Sequence, residues 1–132
     1  MGFLDCLKPK KKLTEQEQKW NKMWELWVQG RTRQPYTELM EYESEVNNGG
    51  HSQYFFNTAN CGDLKAQVQI LLEVLPEPLL GNLKAAYEAF SGQEDICSDE
   101  NDALFDACDQ VFYDHEQQLL ALLEAYAQEM TL

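Results

Sequence analysis

The sequence has almost no positive charge beyond Gln34. From that residue to the C-terminus it contains two lysines, Lys65 and Lys84, against nineteen aspartates and glutamates. The residues before Gln34 hold eight lysines and arginines against four acids, so the net charge of −13 combines a segment of +4 with one of −17. Because proteins hold nucleic-acid phosphates with lysine and arginine, this distribution argues against direct nucleic-acid binding.

Long apolar runs and paired cysteines are also missing. No run approaches the length of about 18 apolar residues that a membrane-spanning helix needs. The four cysteines, Cys6, Cys61, Cys97 and Cys108, form no C-x-x-C pair and do not cluster with histidine. This pattern argues against a zinc site and favours reduced thiols in a cytoplasmic protein.

Motifs that carry catalysis are not found either. The sequence has no nucleophile elbow, phosphate-binding loop or dinucleotide fingerprint. His51 and His115 lie 64 positions apart and in no metal-ligand pattern. We interpret each histidine as a surface residue or as a partner in a local hydrogen bond. We therefore predict no enzymatic activity, no metal and no cofactor.

The composition nevertheless indicates a folded chain. Apolar residues make up 44% of the sequence and aromatic residues 11%, which is too much for a disordered acidic chain. No segment alternates apolar and polar residues as a strand does, whereas helical spacing recurs throughout. We predict an all-α protein, with one compact domain of about six helices over residues 14–132, preceded by a basic, mobile tail over residues 1–13.

Caps, glycines and prolines predict where the helices begin and end. Thr14 and Glu17 form a capping box before a helix that carries a stripe of Trp20, Trp24 and Trp27. The other predicted helices cover 37 to about 46, 52–59, 64–75 and 79–90. An acidic loop is expected over 93–101. The last segment, from about 102, is predicted as one long helix or two helices with a bend near His115.

The N-terminal segment joins apolar and basic residues. Phe3, Leu4 and Leu7 precede four lysines within 8–12. Such a segment can contact an anionic membrane surface, where each basic residue contributes about 1 kcal/mol. We retain this alternative beside the interpretation as a solvated tail.

Two rows of acids lie at helical spacing. Glu38, Glu41 and Glu45 form the first row, and Asp102, Asp106 and Asp109 form the second, on the face opposite Leu104, Cys108, Val111 and Phe112. Lysines do not alternate with these acids as they do on an ordinary solvated face. One interpretation is solubility. The other is a binding surface for a basic protein, since carboxylates on rigid helices could imitate the phosphates of DNA. Asp99 and Glu100 are included in this predicted surface.

The most distinctive segment runs from Glu45 to Asn57. Its glycines permit a sharp reversal of the chain, and its aromatic residues can anchor that reversal in the core. It contains Asn48, Gly49 and Gly50, then Gln53, Tyr54 and Phe55, and finally Asn57. This pattern resembles the signature of the bacterial DNA-mimic protein family, and a looser resemblance covers most of residues 15–130. The resemblance implies an all-helical acidic domain, often dimeric, that occupies the DNA-binding face of a transcription regulator.

The sequence therefore favours an acidic interaction domain whose partner is a basic protein. Two alternatives stay open. In one, the tryptophan stripe is an apolar interface for assembly, including assembly into a homodimer. In the other, the chain is an immunity-type protein that binds a basic toxin.

Overall fold

Five helices build the described part of the chain. The computed structural model describes residues 12–92 and 99–132, and for residues 99 and 100 it describes the backbone only. The helices are α1 (Glu15–Val28), α2 (Tyr36–Cys61), α3 (Leu64–Val74), α4 (Leu79–Gly92) and α5 (Asp99–Ala127). These ranges contain no strand, so the predicted all-α class is confirmed. Within them, no helix is long and apolar enough to cross a membrane. The predicted tail lies outside the described residues, apart from Lys12 and Leu13.

The capping box predicted for α1 is confirmed. The Glu17 amide donates to Thr14 Oγ1 at 3.1 Å, and the Thr14 amide donates to Glu17 Oε1 at 3.2 Å. Each bond satisfies a donor that the first turn of a helix would leave free. The helix packs against α5, with Met23 fully buried at the contact. This capped helix therefore covers one side of the core.

The element from 36 to 61 consists of two helical halves joined across a kink, so the predicted change of direction between two helices at the glycine pair is confirmed. Gly49 and Gly50 have non-helical backbone angles, and Gly50 takes φ +80° and ψ −177°. Residues other than glycine rarely adopt that region. Ser52, predicted to cap a new helix, lies inside α2 instead. The predicted break after residue 59 is confirmed, because α2 ends at Cys61 and Asp63 caps α3 by accepting from the Ala66 amide.

The last helix is one long element. It begins at Asp99 and continues through His115 without a break, so the alternative with two helices is wrong. The predicted acidic loop is wrong for residues 99–101, which are helical, and its residues 93–98 lie outside the described part. Counting the halves of α2 separately gives the expected six helices.

The core lies where α5 packs against α1, α2 and α4. Phe55, fully buried, contacts the rings of Tyr54, Tyr87, Phe90 and Phe105. These contacts tie the half of α2 after the kink to α4 and α5. The direction in which α2 leaves the kink is therefore set by packing as well as by its glycines.

Candidate functional site

The acids of α2 are half-buried, and side-chain amides hold two of them. We call Glu38, Glu41 and Glu45 the α2 acidic row. Glu45 Oε2 accepts from Gln53 Nε2 at 3.0 Å and from Asn57 Nδ2 at 2.9 Å. Both donors, like Glu45 itself, belong to the distinctive segment. Hydrogen bonds therefore join two amides of the distinctive segment to one carboxylate of the α2 acidic row.

A third side-chain amide fixes Glu41. Gln67 of α3 donates to Glu41 Oε2 at 3.0 Å, while its own Oε1 accepts from the Tyr54 hydroxyl at 2.5 Å. Burial raises the pKa of Glu41, and the neighbouring charges of the row raise it further, although the Gln67 bond opposes the shift. Burial raises the pKa of Tyr54, and the carboxylates of the row add to that shift. Tyr54 is therefore a fixed donor at the base of the row.

Glu38 completes the row. Its Oε1 is buried and finds no hydrogen-bond partner in the described part of the chain. The row thus contains one carboxylate with two amide donors, one with a single donor and one with an unsatisfied buried oxygen.

The acids of α5 do not form one outward row. Asp102 and Asp106 are exposed as predicted. Asp109 lies against the kink of α2, where its Oδ1 accepts from the His51 backbone amide at 2.8 Å. The expectation that all three face away from the core is wrong for Asp109, because the kink of α2 places the His51 amide next to it as a donor. For Asp99 and Glu100 the structure describes only the backbone, at the start of α5.

His51 is fully buried and joins Asp109 to Tyr42. Its Nδ1 lies 2.6 Å from Asp109 Oδ1, and its Nε2 lies 2.6 Å from the Tyr42 hydroxyl oxygen. Both ring nitrogens thus have a hydrogen-bond partner, and a ring that donates from Nδ1 to the Asp109 carboxylate can accept from the Tyr42 hydroxyl at an unprotonated Nε2. Burial raises the pKa of Tyr42 well above its ordinary value, with smaller contributions from Tyr54, Cys108 and Asp109.

This chain of hydrogen bonds contradicts one of the two interpretations of His51. The residue is not on the surface. It is a hydrogen-bond partner, but its bond with Asp109 spans 58 positions and is not the local bond that the sequence analysis expected. A signal for its burial was present in the sequence, because residues 51, 54, 55 and 58 follow the i, i+3, i+4, i+7 spacing of an inward helix face. His115 is half-buried.

The glycine pair makes room for this network. A Cβ on Gly50 would collide with the Asp109 carboxylate, and a Cβ on Gly49 would collide with the Gln53 side chain. The Asp109 carboxylate is the group that contacts His51, and the Gln53 side chain is the group that contacts Glu45. The glycines of the distinctive segment therefore serve close approach as well as the bend.

A carboxyl pair links α2 to α5 beside the kink. Asn47 Nδ2 lies 2.7 Å from both Glu43 Oε1 and Glu116 Oε2. We call Glu43, Asn47 and Glu116 the carboxyl clamp. Burial and the Glu116 carboxyl raise the pKa of Glu43 from its ordinary 4.5 to about 7, against the opposing effect of Asn47. Nearby, the Tyr113 hydroxyl donates to the Val46 carbonyl at 3.1 Å.

Few acids of the domain have a cationic partner. In the described ranges, the ion pairs made by lysine or arginine join Lys19 to Glu15 and Arg33 to Glu129. Arg33 also lies over the rings of Tyr36 and Tyr126. Lys65 and Lys84 are exposed and form none of these pairs. The exposed carboxylates Asp102 and Asp106 are therefore not neutralised by neighbouring side chains of the described part.

The remaining chemistry of the described residues is sparse. No three histidine, cysteine, aspartate or glutamate side chains among them are placed to hold a metal ion together. Cys61 is an exposed free thiol and Cys108 a buried one. The predicted tryptophan stripe is half-buried and packs against the core, with edge-to-face contacts between successive rings.

Comparison with known proteins places this arrangement in a family. The family model described as DMP19-like protein matches residues 33–130, which covers α2 through α5. No curated protein and no solved structure matches the chain. The match includes the distinctive segment, the α2 acidic row and the acids of α5, while α1 lies outside it.

Proposed function

We propose that this chain, which belongs to the DMP19-like protein family, is an acidic interaction domain that occupies the DNA-binding surface of a basic protein. The resemblance of its Asn-Gly-Gly segment to bacterial DNA mimics supports this proposal, and a cytoplasmic transcription regulator is the partner class that it favours. The proposed surface contains eight acids: Glu38, Glu41, Glu45, Asp99, Glu100, Asp102, Asp106 and Asp109.

The observation that carries the proposal is a pair of exposed acids on α5 for which the described part of the chain offers no cationic partner. Asp102 and Asp106 lie four residues apart on a continuous helix of 29 residues. Four residues of helix rise about 6 Å. The phosphates of one strand of duplex DNA form a regular row of negative charges, spaced about 3.4 Å along the axis. Two exposed carboxylates at a fixed spacing on a rigid helix present a short row of negative charge of the same kind.

The fixed carboxylates of the α2 acidic row support the same proposal. A flexible acid must be ordered when a partner binds, which costs about 0.5–1.5 kcal/mol for each side chain. Glu41 and Glu45 are already held by amide donors. Asp109 is also fixed, and its contribution to the surface is the charge of a carboxylate that remains 20% exposed.

The competing functions differ in their surfaces. Assembly through the tryptophan stripe would need exposed aromatic area, whereas the stripe is half-buried against the core. An immunity-type protein would use the same acids, but its toxin need not bind DNA at the contacted surface. Displacement by duplex DNA therefore separates these two charge-based functions.

The test uses the immobilised full chain and a bacterial lysate at low ionic strength. Retained proteins are then eluted with duplex DNA, and in parallel with inorganic phosphate at an equal concentration of phosphate groups. A DNA mimic requires a retained basic protein that duplex DNA displaces and inorganic phosphate does not. Retention that DNA leaves unchanged would favour the toxin partner, and the absence of any basic partner would contradict the proposal.

Paired variants locate the surface. Asp102→Lys with Asp106→Lys should abolish retention of the basic protein, because the reversal replaces two attractive charges by repulsive ones. Glu73→Lys with Glu88→Lys makes the same change in net charge at two other exposed positions on α3 and α4. Equal loss of binding in both pairs would show that net charge alone attracts the partner.

A further inference from the structure

A groove between α1 and α5 is used by none of the features above. Its volume is about 490 Å³. One wall comes from the start of α1, and the other from the end of α5. Its lining combines apolar surface from Leu13, Trp20 and Ala127 with the carboxylates of Glu17 and Glu124, and amides complete it. A ligand for this groove would need both apolar and cationic groups.

Leu13 is available to line the groove because it lacks its usual partner. The residue before a helix cap often packs against an apolar side chain at the fourth helical position. That position holds Gln18, whose amide donates to the Leu13 carbonyl at 3.0 Å. The Leu13 side chain is consequently 45% exposed. An apolar residue of another segment could cover it.

The chain itself supplies a segment of matching chemistry directly before Leu13. Residues 3–7 contain Phe3, Leu4 and Leu7, and residues 8–12 contain four lysines. We propose that this N-terminal segment docks in the groove of its own chain, with its apolar residues against Trp20 and Leu13 and its lysines beside Glu17 and Glu124. This inference does not rest on the proposed function.

The connection is long enough for this arrangement. Leu13 to Asn21 spans about 12 Å of helix axis at about 1.5 Å per residue. The ten residues from Phe3 to Leu13 can extend about 33–36 Å, so the segment can turn and run back along the groove. Because the segment is tethered at the rim, its effective concentration is in the millimolar range, and weak contacts suffice for docking.

Opposite charge favours the N-terminal segment as the occupant of this groove. The segment places its four lysines near the two groove carboxylates, Glu17 and Glu124, both of which are exposed. Lys19 at the groove edge is already held by Glu15 and by the Gln128 carbonyl. The segment lysines would therefore neutralise Glu17 and Glu124, which have no cationic partner in the described part of the chain.

Carbodiimide coupling of the full chain, which joins lysine amines to nearby carboxylates, tests the docking. Mass spectrometry of the digest should find an amide between a lysine of 8–12 and Glu124, which is remote in sequence. Glu124→Gln should abolish this product, and Glu88→Gln, an exposed control outside the groove, should leave its yield unchanged. Phe3→Ser with Leu4→Ser and Leu7→Ser should reduce the yield about tenfold or more, because the apolar contacts are lost.

Three results would overturn the proposal. In the first, the segment lysines couple to Glu73, Glu88 and Asp102 as readily as to Glu124. In the second, the serine variants retain the full yield, which would show that charge alone brings the segment close. In the third, a mixture of isotopically labelled and unlabelled protein gives the Glu124 product mainly between differently labelled copies, which would assign the groove to a second chain.

Discussion

At the scale of single residues, the contact between the α2 kink and α5 depends on Gly50, His51 and Asp109. The backbone angles of Gly50 exclude other residues, and its missing Cβ admits the Asp109 carboxylate. His51 then offers that carboxylate two nitrogen atoms, one from the backbone and one from the ring. A partly buried carboxylate with two donors stabilises the fold, whereas the same group without them would destabilise it.

Gly50→Ala should destabilise the protein by about 3 kcal/mol, since it adds backbone strain and a steric collision at one position. Urea unfolding monitored by circular dichroism measures the change. Gly92→Ala is the matched control, because a Cβ there meets nothing within 4 Å. A Gly50→Ala protein as stable as the Gly92→Ala protein would contradict this account of the kink.

His51→Phe and Asp109→Ala should be coupled in a double-mutant cycle. Phenylalanine retains the ring contacts with Phe55 and Phe112 but removes the side-chain hydrogen bonds. We expect the two changes together to cost at least about 1 kcal/mol less than the sum of the single changes. Asp106→Ala, on an exposed residue of the same helix, should add to His51→Phe without coupling. Additive behaviour of the Asp109 pair would refute the inferred contact energy.

The burial of His51 shows which residue-scale features a sequence conceals. Its helical spacing with Tyr54 and Phe55 indicates an inward position, but it does not identify the partners. Asp109 lies 58 positions away, and its contact with His51 depends on the kink direction and on the rotation of α5. Periodicity within one helix cannot supply that relation between helices.

At the scale of elements, α2 and α5 are joined on one side of the kink by the carboxyl clamp. Two carboxyl groups share one amide donor, and the raised pKa of Glu43 keeps a proton in the pair near neutral pH. The folded protein therefore binds this proton more tightly than the unfolded chain does. The contribution to stability is complete below about pH 4.5 and is lost as the pH rises through about 7.

Replacing Glu43 should reduce the dependence of the free energy of unfolding on pH in this range. Between about pH 5 and about pH 8, the free energy of unfolding of the natural protein should fall by about 1 kcal/mol more than that of Glu43→Gln, since partial exposure screens the effect. Urea titrations at both pH values measure the difference. Glu73→Gln, at an exposed acid of α3, serves as the control and should keep the natural dependence. Parallel curves for the natural protein and Glu43→Gln would rule out the clamp as the cause.

The sequence predicts the beginning of a helix well where that beginning depends on residues close in sequence. The Thr14 capping box and the Asp63 cap both appear in the structure. The glycine pair was predicted as a change of direction between two helices, and the kink confirms it. The direction that the chain takes after the kink depends on packing of Phe55 against α4 and α5, which the local sequence does not show. The start of α5 was placed three residues late because an acidic stretch was interpreted as a loop. Residues 99–101 of that stretch nevertheless form the beginning of α5.

At the scale of the whole molecule, acidic charge greatly exceeds basic charge. The net charge is −13, and each ion pair of the described part that involves lysine or arginine has at least one exposed partner. Exposed pairs contribute little, about 0–1 kcal/mol each. Repulsion between the remaining acids is therefore expected to dominate the response of stability to salt.

The unfolding midpoint should accordingly rise as sodium chloride is increased from about 0.01 M to about 0.1 M, over which the screening length falls from about 30 Å to about 10 Å. Thermal unfolding at constant pH measures this. Sucrose solutions of equal osmolality control for effects that do not depend on charge. A midpoint that falls with salt would mean that attractive pairs outweigh the repulsion, contrary to the distribution described above.

The contact of Gly50 and His51 with Asp109 also has an evolutionary consequence. Two neighbouring residues on α2 and one residue more than fifty positions later form a single structural unit, so they should be inherited together. In a relative that lacks the aspartate, a buried histidine would have no carboxylate beside it to hydrogen-bond with. An apolar side chain would then fit the same space. Substitutions at positions 51 and 109 should therefore covary among members of the family, while the glycine at position 50 persists wherever the kink does.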